Sequence, residues 1–128
     1  MTCEIYNAKI VNAALGFEGH GIFCISLLFE FDGGGQGTGA FSLDKPCKDI
    51  TGKHIRRVGT WEGCTMIMDI IKIVGVEDWC QIKNSLVRIK RTPTGVIEIG
   101  HILKDKWINI PDFFDNISKE LKQKGGQS

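Results

Sequence analysis

The order of hydrophobic and polar positions predicts strands in the first part of the chain. Residues 2–14 mix β-forming side chains with polar positions, which predicts a first strand, and the glycines of 16–21 predict a turn after it. In the run 22–31 every odd-numbered position from 23 to 31 is apolar, whereas Ser26 and Glu30 lie on the opposite parity. One fully apolar face and one mixed face are typical of a central antiparallel strand.

Two later segments carry the apolar spacing of helices. Thr60 is a suitable N-cap and Gly75 a suitable end, which predicts a helix over about 60–75 with an apolar stripe of Cys64, Ile67, Ile71 and Val74. Gly63 is expected to weaken this helix. Pro111 suits a first helical position and predicts a second helix over about 111–123, with a stripe of Phe113, Phe114, Ile117 and Leu121.

The remaining segments complete the prediction. Residues 40–43 read as a short return strand, and 44–58, with Pro46 and several charges, read as a loop. The sequence Thr-Pro-Thr-Gly at 92–95 predicts a turn between strands 86–91 and 96–103, with Arg88 and Lys90 facing away from Val87 and Ile89.

The order of these elements is strands, helix, strands, helix. This order predicts an α+β domain with an antiparallel sheet packed by the two helices, because the regular strand–helix alternation of a doubly wound parallel sheet is missing. We expect one domain over 1–124 and a frayed tail at 125–128, as the length of 128 residues allows.

Charge and composition restrict the partners. The 16 Lys and Arg against 15 Asp and Glu give a formal charge of +1, so the whole protein has no electrostatic preference for a polyanion. We therefore predict no tight binding of DNA or RNA, although a local basic patch stays open.

The five cysteines are odd in number and contain no Cys-x-x-Cys pair. They predict free thiols in a reducing cytoplasm, with neither a disulfide framework nor a structural zinc. The alternating N-terminus does not resemble a signal peptide, and no apolar run reaches the ~20 residues of a membrane helix. We expect a soluble protein of the host cytoplasm that has no membrane partner.

A glycine cluster is the first candidate for chemistry. Gly33, Gly34, Gly35, Gly37 and Gly39 surround Gln36, directly after the most apolar run. A loop without side chains can present backbone N–H groups to an anion. The same glycines can supply positive φ angles for a hairpin or bulge, and this reading is favoured because a phosphate loop normally leads into a helix.

A basic segment before the first helix is the second candidate. Lys53-His-Ile-Arg-Arg57 can bind phosphate or can be a solvated charged segment, and Trp61 can stack on a base or can anchor packing. Our hypothesis joins the two candidates, so that the glycines turn the chain and also form one wall of a small-molecule pocket. Its ligand-binding residues are Gly35, Gln36, Gly37, Gly39, Arg56, Arg57 and Trp61.

Enzymatic chemistry has little support in the sequence. No cysteine lies near a histidine, and no nucleophile and base stand at a recognisable spacing, so we assign no catalytic residue. His20, His54 and His101 lack metal-ligand spacing, and His101 shares the parity of apolar positions, as a structural histidine would. We expect no metal and no cofactor.

Several motifs recur in order along the chain, and they are Gly16-x-x-x-His-Gly-Ile22, Gly35-Gln-Gly-x-Gly39 with Leu43-Asp44, Val74-Gly-Val-x-x-Trp79, Val87-Arg-Ile-Lys90 and Ile99-Gly-His-Ile-Leu-Lys-Asp-Lys-Trp107. Together they resemble a family of small proteins of unknown function carried by bacteriophages and prophages. The similarity spans roughly residues 4–111 and implies no established reaction. The chain departs from the family pattern at Ala40-Phe41, where the family carries a glycine–aromatic pair.

A phage setting favours proteins that act by binding. The first hypothesis is a counter-defence module that sequesters a small nucleotide-type signal near the glycine-rich segment. The second is an interaction protein that inhibits a host or defence enzyme through its surface, and the third is an accessory protein of phage DNA metabolism that uses Arg88, Lys90 and Arg91 on one face of the hairpin. A strongly apolar sheet with exposed edges also predicts a homo-oligomer.

Overall fold

The computed structural model describes residues 4–125, so the predicted start of the first strand at 2–3 and the last tail residues, 126–128, lie outside the described part. The elements in chain order are β1 (Glu4–Phe17), β2 (Phe23–Phe31), β3 (Gly34–Ser42), β4 (Asp44–Lys48), β5 (His54–Gly59), α1 (Trp61–Val74), β6 (Leu86–Thr92), β7 (Gly95–Gly100), β8 (Trp107–Asn109) and α2 (Phe113–Gly125). A short 3-10 helix, Trp79–Gln81, connects α1 to β6.

Six strands form one curled antiparallel sheet in the order β3-β2-β1-β6-β7-β8, and β4 and β5 form a separate hairpin. The long strand β1 pairs with β6 through its first half and with β2 through most of its length, with a bulge at Val11. The curl brings β3 beside β7, since a Cβ atom built on Gly95 would lie 3.7 Å from the carbonyl oxygen of Gly37. The predicted α+β architecture is confirmed.

The core lies between the inner face of the sheet and the two helices. The buried positions of β2 are Ile25, Leu27 and Phe29, as the parity of that strand predicted. From the helices, Met66, Ile70, Ile73, Val74, Phe113 and Ile117 are buried against the sheet. The inner face of β6 contributes Val87 and Ile89, so Arg88 and Lys90 face away from them as expected.

The first helix has the predicted ends, but its buried face differs from the predicted apolar stripe. Thr60 accepts a hydrogen bond at its hydroxyl from the amide of Gly63, and Gly75 ends the helix with φ 87°. Cys64, predicted to be in the apolar stripe, is exposed. Gly63 is buried against Leu43, and a Cβ atom at position 63 would lie 2.5 Å from the carbonyl oxygen of Leu43. The glycine therefore permits close packing here.

Three further sequence assignments were wrong. Residues 44–58 are not a loop, because β4 and β5 pair from Asp44–Gly59 to Lys48–His54. The glycine-rich segment is not a loop either, since β3 begins at Gly34 and pairs with β2. The strand predicted over 96–103 ends at Gly100, whereas the second helix predicted at about 111–123 is confirmed and runs from Phe113 to Gly125.

Candidate ligand-binding surface

The glycine-rich candidates Gly35, Gln36, Gly37 and Gly39 lie on strand β3. Gly35 and Gly37 approach β2 closely, because a Cβ atom would lie 3.3 Å from the carbonyl oxygen of Phe29 at position 35 and 3.2 Å from that of Leu27 at position 37. Gly39 has φ 78°, beside the irregular pairing of β2 with β3. These glycines serve the bulge and the strand contact, and Gly33, with φ 103°, serves the turn before them, which agrees with the structural reading of the segment.

Gln36 connects β3 to the β6–β7 turn. Its Nε2 donates to the carbonyl oxygens of Thr92 at 3.0 Å and Pro93 at 3.2 Å, and its Oε1 accepts from Nε of Arg91 at 2.7 Å. The guanidinium of Arg91 also lies over the rings of Phe31, at 4.8 Å, and Tyr6, at 5.5 Å. The amide of Gln36 is thus a bridge between two parts of the curled sheet.

Arg57, one of the two predicted phosphate ligands, is paired with Asp44. Its Nε donates to Oδ2 and its Nη2 donates to Oδ1, each at 2.9 Å. The carboxylate also accepts from the backbone amide of Phe23 and from the hydroxyl of Ser42. Hydrogen bonds from Arg57 first, and then from Phe23 and Ser42, lower the pKa of Asp44 from 3.8 to about 2.

The other two candidates, Arg56 and Trp61, are exposed. Arg56 lies on β5 and donates from Nε to the carbonyl oxygen of Arg57, and Trp61 begins α1. The structure gives Gln36 and Arg57 different partners, on the β6–β7 turn and on Asp44, respectively. The arginine that Gln36 contacts is Arg91, which the sequence hypothesis did not include in the pocket.

A group of basic and aromatic side chains lies on the solvent side of β6, β7 and β8. Pairing aligns Arg88 with Gly100 and Gly100 with Trp107 across the three strands. The guanidinium of Arg88 lies 4.8 Å from the centroid of the Trp107 ring, and Nζ of Lys90 lies 4.4 Å from it. We call Arg88, Lys90 and Trp107 the basic–aromatic face.

Two further contacts hold the Trp107 ring and the Lys90 side chain in this face. A Cβ atom on Gly100 would lie 2.6 Å from Cε3 of Trp107, so the indole packs directly on the glycine. Nζ of Lys90 also forms an ion pair with Oε1 of Glu98 at 3.8 Å. Arg91, which was predicted to share a face with Arg88 and Lys90, points to the opposite side of the sheet because successive strand residues alternate.

The loop 101–106 beside Trp107 is ordered by side chains. Arg88 donates to the carbonyl oxygens of His101 at 2.8 Å and Lys104 at 2.7 Å. Nδ1 of His101 accepts from the amides of Leu103 and Lys104, each at 3.0 Å. His101 therefore has a structural role, as its parity suggested. The same hydrogen bonds order the backbone of the loop that carries Lys104 and Lys106.

The sequence predicted a basic face with Arg88 and Lys90 but did not place Trp107 beside them. The signal that could have found the face is the pair Gly100 and Trp107. The side-chain-free position at the end of one strand leaves room for the large ring from the next strand. Within residues 4–125, no three His, Cys, Asp or Glu side chains are grouped to hold a metal ion.

Comparisons with known proteins add no family to these observations. No protein-family model matches the chain, and neither the curated proteins nor the solved structures contain a significant match. Among the helices of the described residues, none is long and apolar enough to cross a membrane. The geometry of the side chains is therefore the basis for a functional proposal.

Proposed function

We propose that the protein is a non-enzymatic binding protein that holds a small nucleotide-type ligand on the basic–aromatic face. The observation that carries the proposal is the position of Arg88 and Lys90 at 4.8 and 4.4 Å from the Trp107 ring. An indole can stack on a nucleobase, and neighbouring cations can accept the charge of phosphate oxygens. The resemblance to phage proteins supplies the setting, in which the ligand is a nucleotide immune signal that the protein sequesters.

The charge of the surrounding surface suits a small ligand better than a polymer. The face and its loop carry four basic side chains, Arg88, Lys90, Lys104 and Lys106, and two acidic ones, Glu98 and Asp105. An excess of two positive charges can balance the phosphates of a dinucleotide or an ADP-ribose-type compound, but it neutralises too few phosphates for tight binding of a nucleic acid at physiological salt.

The order of the 101–106 loop also supports binding. Its hydrogen bonds to Arg88 and His101 exist before any ligand arrives, so little conformational entropy has to be lost when a ligand binds. Trp107 is held in the same way, since its Nε1 donates to Oδ1 of Asp105 at 3.0 Å. A preformed surface of this kind is suited to a rigid aromatic ligand.

The test is a thermal-shift and calorimetric screen of ADP-ribose, cyclic mononucleotides, cyclic dinucleotides and oligo(dT). A ligand at one hundred times its Kd stabilises a protein by about 2.7 kcal/mol, which the screen detects easily. We expect binding of one nucleotide class to be weakened by Lys90→Ala and by Trp107→Phe. Lys45→Ala, at an exposed position on β4, is the matched control.

The same screen distinguishes the earlier pocket hypothesis. If Gln36→Ala or Arg56→Ala abolishes binding while Lys90→Ala and Trp107→Phe have no effect, then the ligand lies near the glycine-rich strand or the hairpin. If oligo(dT) alone binds, with a steep salt dependence, an accessory role in DNA metabolism replaces the nucleotide proposal. If no compound of the panel binds, both the basic–aromatic site and the earlier glycine-rich pocket are contradicted.

The β4–β5 hairpin favours a second candidate function, inhibition of a host or defence enzyme through a protein surface. Ile50 is fully exposed and Ile55 is 60% exposed, and large exposed apolar side chains on a projecting hairpin are suited to insertion into a partner. A partner recovered from host lysate by the wild type should be lost with Ile50→Asp and with Ile55→Asp. Retention by both variants would remove this candidate.

A further inference from the structure

One face of the sheet has no partner within the described chain. The strand pairs Lys9–Glu30, Asn12–Leu28 and Ala14–Ser26 all point away from the helices, because the core residues occupy the alternate positions of β1 and β2. We call this side of β1, β2 and β3, with Leu86 at its border, the outer face. Leu28 is 45% exposed and Leu86 is 60% exposed.

The outer face has a shape that another sheet can fit. Asn12 lies opposite Leu28 on β1, and the outward positions on the other side of Leu28 from Glu30 are small, namely Ala14, Gly16, Cys24, Ser26, Gly37 and Ala40. Small side chains allow a second sheet to approach closely, and two sheets that pack face to face interdigitate their side chains. Leu28 can then project into the shallow surface that the small residues form on the other sheet.

The charges on the outer face are complementary to themselves. Lys9 and Glu30 lie opposite each other on β1 and β2, yet no ion pair joins these two described side chains. Under a two-fold axis, Lys9 of one protomer faces Glu30 of its partner, and the same contact occurs a second time. One cation and one anion side by side provide the pattern that such an isologous interface requires.

From these features we propose that the protein forms a two-fold homodimer through the outer face. A nucleic acid is a poorer occupant, because the Leu86–Lys9–Glu30–Gly35 row carries one negative charge for each positive charge and offers no aromatic ring for stacking. A second copy of the chain can bury the exposed leucines and can pair each charge with one of opposite sign. The basic–aromatic face adjoins the outer face on the same side of the sheet, because Arg88 lies two residues from Leu86 on β6. The two proposals use different residues, so substitution of Leu28 tests the dimer while Arg88, Lys90 and Trp107 stay unchanged.

The experiment measures mass by light scattering and dissociation by sedimentation at tens of micromolar protein. The wild type should have twice the 14.2 kDa mass of one chain. Lys9→Glu and Glu30→Lys should each raise the dimer Kd roughly tenfold or more, since each places like charges across the interface. The double variant Lys9→Glu/Glu30→Lys should restore the wild-type Kd. Because Lys9 and Glu30 also oppose each other within one protomer, an equimolar mixture of the two single variants is the decisive sample: it should form a heterodimer, since only contacts between protomers are then of opposite charge.

Leu28→Asp provides an independent arm and should give a monomer with the circular dichroism spectrum of the wild type. Leu103→Asp is its control, because Leu103 is 86% exposed on the 101–106 loop and lies away from the outer face. A wild type with the mass of one chain overturns the proposal. So does a dimer that persists in Leu28→Asp and in both single charge reversals, because that dimer must use another surface.

Discussion

Arg57 and Asp44 are joined by two parallel hydrogen bonds of 2.9 Å, and the Asp44 side chain is only 5% exposed. This pair connects the first residue of β4 to β5, and the carboxylate also accepts from the amide of Phe23 at the start of β2. A planar guanidinium that meets a carboxylate at two points is geometrically specific as well as strong. The pair therefore fixes the base of the hairpin on the main sheet.

Asp44→Asn should lower the thermal midpoint by several degrees, because it leaves Arg57 without its charge partner and weakens the bond to Phe23. Asp32→Asn, at an exposed position in the β2–β3 turn, should have little effect. Equal midpoints for wild type and Asp44→Asn in calorimetry would contradict a structural role for the pair.

The same carboxylate predicts a dependence on pH. Its pKa is lower in the folded protein, about 2, than its ordinary value of 3.8. The stabilisation is therefore present above pH 3.8 and is lost as the pH falls toward 2. The difference in thermal midpoint between wild type and Asp44→Asn should narrow over this range, and a difference that is constant down to pH 2 would be evidence against it.

Gln36→Ala should destabilise the protein by about 1–2 kcal/mol, because it removes the bridge to Thr92 and Pro93 and leaves Nε of Arg91 without its acceptor. Urea unfolding measures the change, and Lys83→Ala, at an exposed position before β6, is the control. A change below about 0.5 kcal/mol, typical of an exposed surface residue, would mean that the bridge contributes little.

Gly63→Ala should destabilise the protein by about 1–3 kcal/mol, although alanine is the better helix former. The reason is the backbone of Leu43, which would lie 2.5 Å from the new methyl group. Gly59→Ala is a matched control, because its Cβ atom would meet nothing within 4 Å. Urea unfolding of the two variants gives the comparison, and a stabilised Gly63→Ala variant would contradict the close packing.

Gly100→Ala should displace the Trp107 indole from the sheet, since the added methyl group would lie 2.6 Å from the ring. We expect greater accessibility of the indole to acrylamide quenching, and weaker binding of any ligand that uses this ring. Measurement in a Trp61→Phe/Trp79→Phe background isolates the signal of Trp107. Unchanged quenching would show that the ring does not depend on the glycine.

Local signals in the sequence predicted much of the architecture. The alternation of β2 correctly gave its buried face, and Thr60 and Gly75 correctly gave the ends of α1, because these features depend on residues close in the chain. The hairpin of β4 and β5 was missed, since Pro46 and the charges read as a loop when no partner strand is visible. Pro46 lies in an isolated two-stranded ribbon, where a missing amide donor is tolerated.

The candidate site depended on contacts that a local pattern does not contain. Gln36 and Arg91 lie far apart in the sequence, and no helical or strand periodicity relates them. No periodicity relates Arg57 to Asp44 either. The two arginines of 56–57 looked equivalent, yet strand alternation sends Arg57 to Asp44 and leaves Arg56 exposed. Only the register of the strands distinguishes the arginine that is paired with Asp44 from the one that is exposed to solvent.

The double pairing of β1 has a kinetic consequence. The β1–β2 and β6–β7 hairpins join neighbours in the chain and can form early, whereas the sheet becomes continuous only when Glu4 reaches Arg91. Closing so long a loop is slow, because its entropy must be lost before the new contacts compensate for it. During synthesis on the ribosome, the first half of β1 must therefore wait, with an unpaired edge, until β6 has emerged.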